Sequence, residues 1–149
     1  MTWWILIADA ARAKIFSTKG AGRPLHLEQS LDNPSGRAAA HELVDGQPGR
    51  YSKGGKGGTL SAFEPDTPRH VIEEERFAQK LAELLQTALT QKKFDSLAIL
   101  APAKFLGILR QTISPQVHKH LAASLAKDLA ALNERELPSH LAEIFLPSS

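Results

Sequence analysis

The residues with the clearest potential for chemistry lie in a glycine-rich stretch near the middle of the chain. Positions 53–58 hold four glycines and two lysines, with no acidic residue among them. Glycine N–H groups approach anions closely and lysine adds charge, so phosphate, including RNA phosphate, is the ligand class indicated. On composition alone, a mobile linker with solvated lysines is favoured over a ligand site. The candidate phosphate-binding residues are Arg50, Lys53, Gly54, Gly55, Lys56, Gly57, Gly58, Thr59 and, in the first turn of a later helix, Lys104.

The acidic residues meet only part of the requirements of a two-metal nuclease. Such a site needs several carboxylates that converge at the carboxyl ends of central strands. The possible ligands are Asp9, Glu74 or Glu75, and Asp128. The predicted fourth strand ends in Ala101-Pro102 without an acid, and Asp95 lies at its opposite end, so the set is incomplete. We therefore expect a non-enzymatic protein without catalytic residues, metal or other cofactors, in which Asp9 serves a turn and, with Arg12, lines the cleft.

The histidines offer a weaker metal hypothesis. His118 and His120 are two residues apart and would share one face of a strand, as a transition-metal pair would require. No third ligand is evident nearby in the sequence, and spacing alone is weak evidence for a site. We expect ordinary edge or partly exposed histidines.

Composition limits the class of protein. The 149 residues suit a single domain spanning 1–149, and the absence of cysteine excludes disulfides and thiolate metal sites. A net charge of +2 and a pI near 9.0 fall short of a dedicated DNA-binding protein, so no DNA specificity is expected. The apolar start is too short to span a bilayer and lacks the preceding basic residues of a signal peptide. These features predict a cytoplasmic protein without a membrane span.

The elements that would position these residues alternate between strands and helices. Trp3–Ala8 and Leu97–Ala101 are continuous β-prone runs, typical of central strands covered on both faces. Residues 12–17 and 25–31 alternate polar with apolar side chains, so the first three strands form an antiparallel meander. The strand-helix-strand succession that follows implies parallel pairing with right-handed crossovers.

Helices are predicted on either side of the second buried strand. After a long glycine-rich loop at about 33–66, Thr67 serves as N-cap and Pro68 as the first helical residue, with Glu73–Glu75 near the positive end of the dipole. Pro102 starts the next helix, and Asn133 with Glu136 forms a capping box for the last one. Between them, periodicity in residues 117–132 slightly favours a helix over a strand.

Several short motifs resemble the bacterial host attachment protein family, named for a role in attachment to host cells. The motifs cover nearly the whole chain and are Ile5–Asp9 with Arg12–Phe16, Glu42–Asp45 with Pro48–Arg50, Glu74–Ala78, Leu100–Pro102 with Phe105–Arg110, and Lys127–Leu129. The order of the elements looks like the ribonuclease H-like topology. This implies an α/β fold with a mixed five-stranded sheet of order 3-2-1-4-5, three antiparallel meander strands followed by two parallel ones, with helices on its faces. The resemblance also makes residues 121–126 the fifth strand, which we adopt over the periodicity.

The same family is similar to the middle domain of archaeal and eukaryotic peptide-chain release factors. In those factors the loop before the first helix carries Gly-Gly-Gln, which promotes peptidyl-tRNA hydrolysis. The corresponding stretch here is Gly57-Gly58-Thr59, so the glutamine that would help to position water is missing. The resemblance therefore implies binding to RNA rather than termination-type catalysis.

Three functions follow from these observations. The first is a non-enzymatic host attachment family protein that contacts ribosomal or transfer RNA through its basic glycine-rich loop. The second is an attachment or surface-related interaction protein that acts through protein or carbohydrate contacts, and the third is an RNA or peptidyl-tRNA hydrolase. The oligomeric state does not follow from the sequence.

Overall fold

The computed structural model describes residues 1–36, 68–132 and 134–142. The strands are β1 (Trp3–Ala8), β2 (Arg12–Thr18), β3 (His26–Asp32), β4 (Ser96–Ala101) and β5 (Leu121–Ala126). The helices are α1 (Arg69–Thr90), α2 (Ala103–Thr112), α3 (Pro115–His120) and α4 (Leu137–Leu141), with a 3₁₀ turn at Glu134–Glu136. Of the predicted loop at about 33–66, residues 33–36 are described, with 34–36 helical, and residues 37–66 lie outside the described residues.

The five strands form one mixed sheet in the order β3-β2-β1-β4-β5. β1 pairs with β2 in antiparallel register, Trp3 opposite Thr18, and with β4 in parallel register, Trp3 opposite Ser96. β3 is antiparallel to β2, and β5 is parallel to β4. The α/β class, the mixed sheet and the strand order are those predicted.

The central strands have apolar side chains on both faces because both faces of the sheet are covered. Trp4, Leu6 and Ala8 pack with residues of α1 and α2 on one face. Ile5 and Ile7 pack on the other face, where the cluster includes Leu129 and Leu141. This two-sided burial explains why β1 and β4 read as continuous β-prone runs.

Helix α1 packs on the sheet through the apolar stripe that its spacing predicts. The buried members of this stripe are Phe77, Ala78, Leu81, Ala82, Leu85 and Ala88. The prediction for its start was wrong by one residue, since the helix begins at Arg69 and Pro68 occupies the N-cap position without a side-chain cap. Its first turn contains no acidic residue, and Glu73–Glu75 lie beyond that turn, where the positive end of the dipole has little effect. Thr67, the predicted N-cap, lies outside the described residues.

The ambiguous segment after α2 contains both a helix and a strand. The side-chain oxygen of Ser114 accepts a hydrogen bond from Val117 N at 3.1 Å and so caps α3, after which the chain enters β5 without an intervening loop. The strand predicted at 121–126 from the family resemblance is confirmed. Helical periodicity extended across the segment because a one-turn-and-a-half helix directly precedes the strand.

The two histidines of α3 do not share a face, so the prediction that they lie on one strand was wrong. Residues two apart on a helix point about 200° apart around its axis. His118 Nε2 lies 2.6 Å from the carbonyl oxygen of Arg110, and His120 Nδ1 lies 2.8 Å from that of Asp95. Both rings therefore contact the backbone, as ordinary structural histidines do.

The last described helix begins later than the sequence predicted. A 3₁₀ turn leads into α4, and Glu136 occupies the N-cap position without a side-chain hydrogen bond. Leu137 and Leu141 are buried as predicted, whereas Asn133, the first member of the predicted capping box, lies outside the described residues. No helix in the described ranges is both long and apolar enough to cross a membrane.

Candidate functional site

The candidate site lies where β1 and β4 end. The two strands are parallel, so their carboxyl ends meet at one edge of the sheet, next to the β1–β2 turn at Asp9–Ala11 and the first turn of α2. We call this region the carboxyl edge. In open α/β sheets, ligands bind preferentially at such an edge, outside the carboxyl ends of the strands.

Asp9 acts as the turn residue at the carboxyl edge. Its Oδ1 atom accepts hydrogen bonds from Ala11 N at 2.8 Å and Arg12 N at 2.9 Å, and its own N–H donates to the carbonyl of Arg12 at 2.9 Å. This arrangement is the local backbone hydrogen bonding expected of aspartate in a tight turn. The carboxylate thereby positions Arg12 at the start of β2.

Asn33 and Gly36 hold the chain after β3 against the same turn, and we call these contacts the joint. Asn33 donates from Nδ2 to the carbonyl of Ala10 and from its backbone N to the carbonyl of Ala11, both at 2.8 Å. A Cβ atom on Gly36 would lie under 3.0 Å from the Ala10 carbonyl oxygen, so only glycine allows this approach. The chain therefore leaves the described part at residue 36 while packed against the carboxyl edge.

Helices α1 and α2 meet at the carboxyl edge through an ion pair between the second turn of α1 and the first turn of α2. Lys104 Nζ lies 3.9 Å from Glu74 Oε1, with side chains 60% and 15% exposed respectively. Beneath the pair, the rings of Phe77 and Phe105 stack with their centroids 6.1 Å apart. A pair this long and this exposed on the lysine side contributes little stability, so Lys104 keeps most of its capacity to meet an anion.

Two buried polar atoms at the carboxyl edge have no hydrogen-bond partner in the part of the chain that the structure describes. They are Nε of Arg12 and Oε1 of Glu74. A buried donor or acceptor without a partner carries a desolvation cost that an incoming ligand can relieve. The arginine N–H could meet an acceptor atom such as a phosphate oxygen.

Of the predicted phosphate-binding and cleft residues, the structure describes three. Lys104 lies in the first turn of α2 as predicted, and Asp9 and Arg12 lie together at the β1–β2 turn. Arg50 and the stretch from Lys53 to Thr59 lie outside the described residues. Within residues 1–36, 68–132 and 134–142, no group of three His, Cys, Asp or Glu side chains could hold a metal ion.

Sequence reasoning missed the contacts that join separate elements at this edge. It placed Glu74 among possible carboxylate ligands but did not anticipate its pairing with Lys104, thirty positions later. Pro34-Ser35-Gly36 has the composition of a turn, but the approach of Gly36 to Ala10 leaves no trace in local sequence. Glycine in a turn motif was the one signal that could have pointed to this joint.

A family model described as "protein required for attachment to host cells" matches residues 4–141. The chain belongs to this family. A relative, an uncharacterized protein of Rickettsia prowazekii (strain Madrid E), is 28% identical over 131 residues, which cover 87% of this chain and 79% of the relative.

Two solved structures resemble this host attachment family member over 95% of its length. One is described as an archaeal protein, at 12% identity and a TM-score of 0.44, and the other as an archaeal translation termination factor, at 13% identity and a TM-score of 0.41. This chain covers 36% and 37% of those two proteins, little more than a third of each.

Proposed function

We propose that this host attachment family protein is a non-enzymatic binding protein that contacts the phosphates of ribosomal or transfer RNA at the carboxyl edge. The contacting residues are those of the glycine-rich stretch from Arg50 to Thr59, with Lys104 and Arg12 beside it. Peptidyl-tRNA is not hydrolysed, since the stretch has Thr59 where the release factors that it resembles have a glutamine.

The observation that carries the proposal is the position of the two described ends that flank residues 37–67. Gly36 packs against Ala10 at the carboxyl edge. On the other side, α1 begins at Arg69, five residues or about 7.5 Å of helix before Glu74, which contacts the first turn of α2. The described residues that flank positions 37–67 therefore lie near the edge where α/β sheets bind ligands, which supports the proposal.

The described residues of this edge suit an anion. The N-terminus of α2 carries backbone N–H groups that have no partner within the helix and the positive end of its dipole. Lys104 adds a mobile charge in the first turn, and Arg12 adds a buried N–H without an acceptor in the described part. Together these groups support binding of a phosphate backbone, in which affinity comes from positive charge rather than from base recognition.

The test is RNA binding across a range of salt concentrations, measured by fluorescence anisotropy with a labelled single-stranded RNA and with transfer RNA. Removing two phosphate contacts from a single strand lowers the slope of log affinity against log salt by about 1.4. We expect Lys53→Ala/Lys56→Ala to show this reduction. Lys80→Ala/Lys119→Ala removes the same charge from exposed positions of α1 and α3 and is the matched control.

Two results would contradict the proposal. One is wild-type RNA binding that is undetectable or insensitive to salt, since a phosphate contact must release counterions. The other is an equal loss of slope in the control pair, which would show that net charge alone matters.

The family description favours a second candidate, an interaction protein that acts in attachment through protein or carbohydrate contacts. Co-sedimentation of the native protein with ribosomes distinguishes the two, because only the RNA-binding function predicts it. Detection of the native protein on the cell surface would instead favour the attachment candidate. Turnover of RNA or peptidyl-tRNA that Thr59 substitution abolishes would establish a hydrolase in place of both.

A further inference from the structure

A separate pocket lies at the opposite end of the sheet. It has a volume of about 460 Å³ and is bounded by the amino end of β1, the β2–β3 hairpin and the residue Lys93 that follows α1. We call it the amino-end pocket. Six strand residues at about 3.3 Å each separate it from the carboxyl edge, so the two regions cannot share one small ligand.

Three cations line this pocket: Lys19, Arg23 and Lys93. None of the three forms an ion pair with a residue in the described part of the chain, in contrast to Arg76, which pairs with Glu73. Lys19 Nζ donates a hydrogen bond to the hydroxyl of Thr2 at 3.0 Å, which directs its ammonium group along the pocket wall. Cations gathered around one concavity and left without carboxylate partners favour an anionic ligand.

The hairpin that supplies two of these cations has a defined turn. Gly20 and Gly22 have φ values of 144° and 73°, which residues with a Cβ rarely adopt. Arg23 N donates to the carbonyl of Gly20 at 3.1 Å, and the Thr18 hydroxyl accepts from Gly20 N at 3.3 Å. The turn thereby holds Lys19 and Arg23 near each other at the pocket mouth.

The amino-end pocket also contains an acceptor for hydroxyl groups. Ser17, a buried residue, donates from Oγ to Glu28 Oε2 at 2.5 Å and so fixes the position of this carboxylate. A carboxylate has about four acceptor sites, so Glu28 can accept further hydrogen bonds after this one. A polyol hydroxyl would satisfy such an acceptor, whereas a second anion would be repelled.

One side of the pocket is apolar and rigid. Trp4 is 5% exposed, and its ring packs against Phe94 with centroids 5.3 Å apart. The small exposed part of Trp4 gives the pocket an apolar wall beside its polar groups, as is usual in small-ligand sites.

We propose that the amino-end pocket binds a small phosphorylated sugar. The phosphate is held by Lys19, Arg23 and Lys93, and a ring hydroxyl donates to Glu28. Inorganic phosphate would use only the first of these contacts and an unphosphorylated sugar only the second. The proposal uses no residue of the carboxyl edge and does not depend on the RNA-binding function.

The experiment is an NMR titration of the full chain with ribose 5-phosphate, inorganic phosphate and ribose as separate probes. We expect ribose 5-phosphate to shift the Trp4 indole N–H and the amides of Thr18 and Arg23 in a saturable way. It should bind at least about tenfold more tightly than inorganic phosphate, the factor that one hydrogen bond to a charged group supplies. Ribose alone should produce the smallest shifts.

Substitutions inside and outside the pocket test whether ribose 5-phosphate binds in the pocket or to positive surface charge in general. Lys19→Gln/Lys93→Gln should weaken ribose 5-phosphate binding by about tenfold or more, since two charge-assisted contacts are lost. Lys80→Gln/Lys119→Gln removes the same charge outside the pocket and should leave binding unchanged. Glu28→Gln should reduce the preference for ribose 5-phosphate over inorganic phosphate. Thermal unfolding of each variant verifies that the fold persists.

Three outcomes would overturn the proposal. The first is the absence of saturable shifts at pocket residues with ribose 5-phosphate. The second is equal weakening in both lysine pairs, which would indicate nonspecific attraction. The third is displacement of ribose 5-phosphate by a 5′-phosphorylated RNA that binds far more tightly, which would assign the pocket to an RNA end.

Discussion

The two ends of the sheet are built in different ways. At the carboxyl edge, hydrogen bonds to the backbone carry the architecture: the Asp9 carboxylate closes a turn, Asn33 bonds to two carbonyls, and the N-terminus of α2 faces the edge. At the amino end, side chains carry it, with Lys19 and Glu28 directed by hydroxyl groups. The first end suits attachment of a long segment, and the second suits a small ligand.

The two ends also differ in whether their lysines have a carboxylate partner. Lys104 at the carboxyl edge lies beside a carboxylate, whereas Lys93 at the amino end has no ion pair in the described part. If RNA binds at the carboxyl edge as proposed, the lysines of the glycine-rich stretch must supply most of the positive charge. The amino-end pocket already contains its own surplus of positive charge.

Substitution of Gly36 should have the largest effect on stability, because it disrupts the joint at the carboxyl edge. Gly36→Ala introduces a methyl group that collides with the Ala10 carbonyl and the Asn33 side chain, so we expect a loss of about 1–3 kcal/mol in unfolding free energy. Urea unfolding followed by circular dichroism measures it. The RNA affinity of the folded fraction should fall as well, if the joint positions the stretch that follows.

Gly107→Ala is the matched control for this change. Gly107 lies inside α2 and is exposed, and the new methyl group would meet nothing within 4 Å in the described residues beyond its own helix backbone and chain neighbours. Alanine should therefore stabilise the protein by about 0.5–1 kcal/mol. Equal destabilisation by both substitutions would refute the role assigned to the Gly36 contact.

Substitution of Asp9 should have an intermediate effect on stability. It also tests whether Asp9 is a turn residue or a catalytic residue. Asp9→Ala removes the acceptor of two backbone N–H groups and should cost about 1–2 kcal/mol of unfolding free energy. Asp9→Asn keeps an oxygen acceptor at the same position and should cost less. Urea unfolding of both variants measures these costs. An RNA-cleaving activity that both substitutions abolish would contradict the turn assignment.

The smallest effect should come from the ion pair between α1 and α2. If RNA phosphate meets Lys104, then Glu74→Gln should raise RNA affinity by about two- to threefold, because an exposed pair of this kind is worth under about 1 kcal/mol. Lys104→Gln should lower affinity by a similar factor. Anisotropy at low salt measures both changes.

Glu73→Gln provides the control for this pair. Glu73 contacts Arg76 at 3.4 Å on the same helix, so its substitution should raise RNA affinity less than Glu74→Gln does. Equal increases would show that the effect is one of net charge, and that Lys104 has no particular role.

The sequence predicted the elements of the fold closely and their junctions less well. Trp3–Ala8 was predicted to the residue, because burial on both faces requires an uninterrupted apolar run. The N-terminus of α1 and the start of α4 were misplaced, since the predicted caps are not the residues at which these helices begin. Residues 117–126 gave a mixed pattern because two short elements with different periods adjoin there.

The candidate site was predictable only in part. Lys104 could be placed in the first turn of a helix because Pro102 follows a buried strand and cannot continue it. The turn role of Asp9 was predictable because its bonds are local, two and three residues along the chain. The partner of Lys104 was not predictable, nor was the lack of a hydrogen-bond partner for Arg12 Nε among the described residues, since both depend on how α1 and the turns pack around them.

By itself, the sequence determined which segments are buried, which helix face packs on the sheet, and the family to which the chain belongs. These properties follow from residue type and period, which are local. Only the tertiary structure decided that Gly36 rests on Ala10, and that Lys19 and Lys93 share one pocket although 74 positions separate them. Strand order and register bring such residues together, and no pattern within either segment records which residues its neighbours in the fold will be.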